Sequence, residues 1–262
     1  MSHATTPAAQ AAQKAEWTPA RRALAVAGTL FIAATWLYFV LVHPADWGQV
    51  TGSGQGIALL AGYGIGTALL LAAVIPVLPA RTLGLIPIAI IINSVVGEIV
   101  GSIGLPLYLD SVGTVLVAAL AGPVAGMATG ALNNVVWALL NPAALPFAAG
   151  AALVGWLAGV FIHRLNALRN IATVIGFGLV LGIVGGMVAA PVAAYVYGGT
   201  AGVGTGALVS LFREMGGSLI ASVTTQAFIS DPVDKVIVML VAYFTVKALP
   251  KRTVAAFAPQ AK

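Results

Sequence analysis

The sequence contains no cysteine, which excludes disulfides, thiol nucleophiles and thiolate metal sites. Charge is nearly as scarce: 7% of the residues are Asp, Glu, Lys or Arg, against roughly 25% in a soluble domain. A chain so poor in charge cannot cover itself with a surface suited to water. No Gly is followed by Lys, so there is no P-loop and no ATP hydrolysis by that device. No H-E-x-x-H is present, and His3, His43 and His163 are scattered. No G-x-S-x-G offers a serine nucleophile. The chain is therefore expected not to be an enzyme and to need neither cofactor nor metal.

What the sequence does have is apolar length. Hydrophobic residues make up 60% of its 262 positions, Gly contributes 31, and the mean hydropathy is +1.02. The expected fold is an all-α integral membrane protein of about eight transmembrane helices. Residues 1–22 read as a disordered cytoplasmic tail ending at Arg21 and Arg22, and 251–262 as a second cytoplasmic tail. Apolar runs cover 23–42, 57–78, 85–105, 146–162, 171–197 and 232–249. The stretch 111–140 is too long for one span, and Gly122-Pro123 breaks it.

Charge decides whether that stretch crosses once or twice. If 111–122 and 124–140 cross separately, ten of the twelve basic residues fall inside with both termini, and only Arg213 and Lys235 fall outside. A single crossing would turn the loop His163–Asn170 and the C-terminal cluster outward, against the positive-inside rule. The cost is that 111–122 makes only about 18 Å of helix, short of a ~30 Å hydrocarbon core, so it must be buried among other spans or belong to a broken element. Residues 207–230 hold Arg213, Glu214, Gly216 and Gly217 and are read as an external loop with helical pieces, either a surface loop or a lid.

Glu98 is the sharpest single feature, because an ionisable residue inside an apolar run faces a cavity or a polar partner. Ser94, Glu98 and Ser102 recur every four residues as one polar stripe, with Asn93 one position away. Either Glu98 meets a substrate or coupling ion, or it locks helices together. Thr129, Asn133 and Trp137 share a face beside Asn134, where amides and an indole could hold a planar polar ligand or bond between helices. Asp110, beside Tyr108, is placed to cap the next helix with Thr114 a turn later. Asp231, Pro232 and Asp234 read as N-cap, N1 and N3 of the last span. Gly122, Gly126, Gly130 and Asn134 are spaced by four, as are Gly97 and Gly101, and Ala23 and Ala27; such spacing lets helix backbones approach closely.

From about residue 85 the chain resembles the substrate-binding S components of energy-coupling factor (ECF) vitamin transporters. The likeness rests on Ile92-Asn93, on the string from Leu105-Pro106-Leu107-Tyr108-Leu109-Asp110 through Ser111-Val112-Gly113-Thr114, and on Gly122-Pro123-Val124-Ala125-Gly126. It continues through Gly130-Ala131-Leu132-Asn133-Asn134 and ends on Ser230-Asp231-Pro232-Val233-Asp234-Lys235. The resemblance implies a six-helix core, here 81–250, holding a vitamin or similar micronutrient near the outer face of the plasma membrane under closing loops. It also implies a membrane scaffold subunit and two ATPase subunits as partners that drive uptake. Asn93, Glu98, Tyr108, Asp110, Asn133, Asn134 and Trp137 are then the substrate-binding candidates, and 207–230 a lid candidate. Two departures stand out. Helices in 23–80 precede the core, and the family's Ala-x-x-x-Ala docking patch is here Ala89-x-x-x-Asn93. A sensor that binds without moving its ligand, and an ion-coupled carrier using Glu98, are the alternative functions.

The topology has a direct check. A cysteine introduced between His163 and Asn170 of this cysteine-free chain is expected to resist an impermeant thiol reagent in intact cells and to react after permeabilisation. Labelling from outside would rule out eight crossings.

Overall fold

The structure, a computed structural model, describes residues 17–42, 53–199 and 202–258. Residues 1–16 of the expected N-terminal tail, and His43 and Asp46, lie outside the described residues. Ten α-helices appear among those described: α1 (Pro19–Val42), α2 (Gly54–Val74), α3 (Ala80–Ser102), α4 (Val112–Ala121), α5 (Pro123–Trp137), α6 (Ala148–Leu165), α7 (Ile171–Tyr197), α8 (Val203–Glu214), α9 (Leu219–Ala248) and α10 (Lys251–Phe257). No strand occurs among the described residues. Five helical stretches, Pro19–Val42, Gly54–Val77, Ala80–Ser102, Pro142–Leu165 and Ile171–Tyr195, are long and apolar enough to cross a membrane. Large apolar side chains such as Leu30, Leu41, Ile57, Ile91, Ile99 and Met187 point outward from these helices, as a hydrocarbon solvent permits. The chain thus has the features of an all-α, multi-pass membrane protein.

The break at Gly122-Pro123 falls where the sequence puts it. Gly122 has φ +93°, a left-handed conformation open to glycine, and Pro123 opens α5 at N1, where its missing N–H is no loss. The ten residues of α4 span only about 15 Å. Burial resolves the difficulty: Val115, Val117 and Ala118 are fully enclosed, and Thr114 and Leu120 nearly so, by α3, α5, α6 and α9.

The spacing of small residues is used for internal packing. Gly126 and Gly130 on α5 lie against Gly155 and Ala151 on α6, and Gly159 of α6 lies against Pro123. A Cβ added to Gly126, Gly130, Gly155 or Gly159 would come within 2.2–2.5 Å of facing atoms, mostly backbone. A second seam joins α7 to α9, where Gly178 meets Val236 and Gly182 meets Asp231 and Pro232. Ala23 and Ala27 are not part of such a seam. In α1 the buried positions are Ala25, Gly28, Ile32, Thr35 and Phe39, a stripe repeating at three and four, and it packs on α2 through Gly28, Gly62 and Gly66.

The first two helices are bound to the rest by specific contacts. Trp36 Nε1 of α1 donates to the Val188 carbonyl of α7 at 3.1 Å, and Tyr63 Oη of α2 donates to the Pro146 carbonyl at 3.3 Å. Helix α2 also packs on α5. The expected C-terminal tail likewise contains structure: Thr82 Oγ1 of α3 donates at 2.6 Å to the carbonyl of Phe257, the last residue of α10.

Three sequence expectations are corrected here. Residues 207–230 hold the expected helical pieces but little loop: α8 occupies 203–214, and from Leu219 the chain is already in α9, so only the turn at 215–218 is irregular. The last expected span, α9, does not begin at Asp231. It is capped by Ser218, whose side chain accepts from Ala221 N, and it continues for 30 residues through Pro232. Asp231 and Asp234 are therefore mid-helix groups, with their side chains in the protein interior. Asp110 does not cap α4 either. Asn93 of α3 does so from outside, accepting from Gly113 N at 2.7 Å while its Nδ2 donates to Thr114 Oγ1 at 2.8 Å.

The close seams predict an asymmetry between glycines. Gly155→Ala is expected to destabilise the protein by about 1–3 kcal/mol, whereas Gly64→Ala, with nothing within 4 Å of its Cβ, is expected to leave stability unchanged or slightly raised. Thermal unfolding of the detergent-purified variants measures the difference.

Candidate functional site

Helices α3 to α7 and α9 alternate in direction, so one end of the bundle gathers the C-terminal parts of α3, α5 and α7, the N-terminal ends of α4 and α6, and the start of α9. A cavity of about 420 Å³ opens there. Its walls are mostly small or apolar: Gly97 and Gly101 of α3, Gly150 and Ala151 of α6, Gly185, Ala189 and Ala193 of α7, and Val223 and Ala227 of α9. Gly202, Val203 and Thr205, at the start of α8, close one side.

The polar groups enter from three directions. From α3, Glu98 reaches the mouth, and its Oε1 accepts from Trp137 Nε1 at 2.9 Å and Asn141 Nδ2 at 3.1 Å. It is exposed, one turn before the end of its helix, and is not buried in the middle of an apolar run. From the loop between α3 and α4 come Tyr108, Asp110 and Ser111, and from α9 come Gln226, Asp231 and Lys235.

Loop and α9 are joined by one carboxylate. Asp234 is wholly buried, and its Oδ1 accepts from the backbone N–H of Tyr108 at 2.9 Å and of Leu109 at 2.6 Å. Its Oδ2 accepts from Lys235 Nζ at 2.5 Å, and Lys235 also faces Asp110 at 3.5 Å. Leu109 stands in the left-handed region at φ +48°, a conformation that costs a leucine about 1–2 kcal/mol and that these bonds hold in place. The enclosure of Tyr108, and then the nearby Asp231, push its phenol above the usual range, while its interaction with Thr205 pulls the other way. Tyr108 is thus a neutral hydroxyl at the cavity wall.

Of the seven candidates read from the sequence, five line this cavity: Glu98, Tyr108, Asp110, Asn134 and Trp137. Asn93 and Asn133 are buried elsewhere. Asn93 spends its amide on the α3–α4 joint, and Asn133 Nδ2 donates to Asn134 Oδ1 at 3.1 Å. Asn134 in turn donates to the Ala144 carbonyl at 2.8 Å, and Thr129 bonds back to Ala125 of its own helix. Sequence reasoning missed Ser111, Asn141, Gln226, Asp231 and Lys235. The signal for the last two was present: Asp231, Asp234 and Lys235 at i, i+3 and i+4 share one helical face once 219–248 is read as a single helix. Pro232 hid it, because proline ordinarily marks a helix start.

No protein-family model, no curated protein and no solved structure matches the chain.

The joint at Asp234 yields a charge-specific prediction. Asp234→Asn keeps an acceptor for the loop amides but leaves buried Lys235 with Asp110 alone, and is expected to destabilise the protein by about 3–5 kcal/mol. Combining it with Lys235→Met should restore much of that loss, as read from melting temperatures of the single and double variants.

Proposed function

We propose that the chain is the substrate-binding membrane subunit of an ECF-type importer, capturing a vitamin or related micronutrient on the outer face for ATP-driven uptake powered by partner subunits. The observation that carries this reading is the cavity: about 420 Å³, walled by small and apolar side chains, with a few polar groups converging at one end of a helix bundle. That size and lining suit one small organic molecule.

The distribution of charge supports the orientation. Arg21, Arg22, Arg81, Arg164, Arg169, Lys247, Lys251 and Arg252 sit on helix ends or links away from the cavity. With that basic end in the cytoplasm of a cell bounded by the plasma membrane, both termini are inside and the cavity faces out. Eight crossings follow if α4, α5 and α9 are counted with the five long apolar helices. On this reading α8 and the first turns of α9, which border the cavity at Val203, Thr205 and Val223, serve as the lid. The chain carries no P-loop, so on this reading ATP is hydrolysed by ATPase subunits docked through a scaffold subunit. Ala89 faces inward against Gly113, so docking would use another surface than an Ala-x-x-x-Ala patch at that position.

Native mass spectrometry of the gently purified chain should find a small molecule bound in one-to-one ratio, and co-expression with scaffold and ATPase subunits should give ATP-dependent uptake of that molecule. Gly150→Leu is the specific control. A Cβ there meets only Val188, at 4.0 Å, so the leucine projects into the cavity without a backbone clash. This variant is expected to melt within about 3 °C of the parent while losing the bound molecule. Uptake by vesicles of the chain alone, driven by a proton or sodium gradient, would instead establish the ion-coupled carrier. Binding without uptake, even with the partners present, would establish the sensor.

A further inference from the structure

We propose that the ligand of this cavity is a small organic cation bearing N–H donors. The inference rests on the binding-subunit reading and names the chemical class that the site would take.

Carboxylates outnumber cations at the site. Glu98, Asp110 and Asp231 line the cavity and Asp234 stands directly behind its wall, whereas Lys235 is the one cation among the described lining residues. Lys235 is already engaged, by Asp234 at 2.5 Å and by Asp110 at 3.5 Å. Asp234 is further satisfied by two backbone amides. Asp231 is different. It is 6% exposed, lies on the cavity wall beside Gly186, and has no hydrogen bond or ion pair among the described residues. At the mouth, Glu98 receives only the neutral donors Trp137 and Asn141.

Lys235, one turn along α9, is the cation nearest Asp231 among the described lining residues, but it is shared with Asp234 and Asp110, and buried carboxylates in excess of their cation are costly unless something else supplies positive charge. Asp231 shares the cavity wall with Gly185, Ala189 and Ala227, none of which carries a charge, so the space they border holds no protein cation of its own. A cationic ligand fills that space and completes the charge balance. An anion would be repelled by the same wall, and a neutral donor would hydrogen-bond Asp231 but leave the excess negative charge of the wall uncompensated.

Two further observations define the cation as organic. Among the described residues no group of three or more His, Cys, Asp or Glu is placed to hold a metal ion. Gln226, 4% exposed and on the wall, has its Nε2 without a partner, and Ser111 Oγ is likewise buried and unpaired. The Gln226 amide calls for an acceptor on the ligand, at some distance from the positive group that meets Asp231. A molecule with both features has the extent to occupy about 420 Å³, and the Trp137 indole beside Glu98 adds a face suited to a cation.

The test uses the full chain in detergent and a charge series on one ring: 1-methylnicotinamide (cation), nicotinamide (neutral) and nicotinate (anion), with benzamidine, whose cationic group carries N–H donors, as a second cation. Binding is measured by equilibrium dialysis, beside native mass spectrometry of whatever molecule the purified chain retains. The expected result is that any retained molecule is cationic, and that the cations bind at least tenfold more tightly than nicotinamide, with nicotinate weakest. Asp231→Asn should weaken the cations at least tenfold and change nicotinamide less than twofold. Glu98→Gln, at the exposed mouth, should act in the same direction and serves if the first variant fails to fold. A neutral or anionic retained molecule, or a series in which charge makes no difference, overturns the cation while leaving the binding subunit intact. Cation binding unaffected by both variants overturns it as well. If nothing is retained and no probe binds, the binding-subunit reading falls and this inference with it.

Discussion

The Asp234 carboxylate is the interaction on which the site end of the molecule depends. Helix α4 is only ten residues long, so the chain between α3 and α4 must complete the bundle without regular structure. Irregular backbone enclosed by apolar helices carries N–H groups that cost about 1–3 kcal/mol each if left unmade. Asp234 accepts two of them, at Tyr108 and Leu109, and fixes the turn that aims Tyr108 and Asp110 at the cavity. Its own negative charge is then balanced by the neighbouring Lys235, which also draws in Asp110. One side chain thereby joins a loop, a helix and a cavity wall.

That joint is possible because α9 is continuous and closely packed. Pro232 denies the helix one backbone donor and crowds the carbonyl of Phe228, yet the helix passes through it. Neighbouring helices in a membrane bundle routinely support such a break. Here Gly182 of α7 fits directly against Asp231 and Pro232, where any side chain would collide. The same device recurs between α5 and α6, where Gly126, Gly130, Gly155 and Gly159 bring two backbones together. In an apolar solvent there is little hydrophobic gain from helix association, so close van der Waals contact of this kind carries much of the stability. Small residues are then used again for a different purpose: on the cavity face, Gly101 and Gly150 have room in front of them, and the absence of side chains makes the space.

The two helices that precede the core are part of the same body. Trp36 and Tyr63 each send a polar tip to a backbone carbonyl of a later element, while Thr29 of α1 donates to Met127 Sδ of α5 at 3.6 Å. They cover α5, whose small residues leave it poorly able to shield itself, and they brace the link between α5 and α6 that carries Asn141 and Phe147 to the cavity.

Composition and apolar run length alone indicated helices long enough to cross a bilayer, because continuous apolar runs of about 20 residues suit a helix that pairs its own backbone and not the alternating strands of a closed barrel. They also located the break at Gly122-Pro123, since those two residues act on their own φ angles and need no neighbour. Glu98, Tyr108, Asp110, Asn134 and Trp137 were legible as cavity residues because polar groups are rare enough here for each to stand out. Tertiary structure decided the rest. Whether Asp231-Pro232 starts a helix or lies within one depends on the glycine face of α7, which local sequence does not reveal. Whether Asn93 meets a ligand or caps α4 depends on α3 lying beside Gly113. Gln226 and Asp231 became cavity groups only when α9 folded back across the bundle, because a buried polar atom acquires its meaning from the partners that packing gives or denies it.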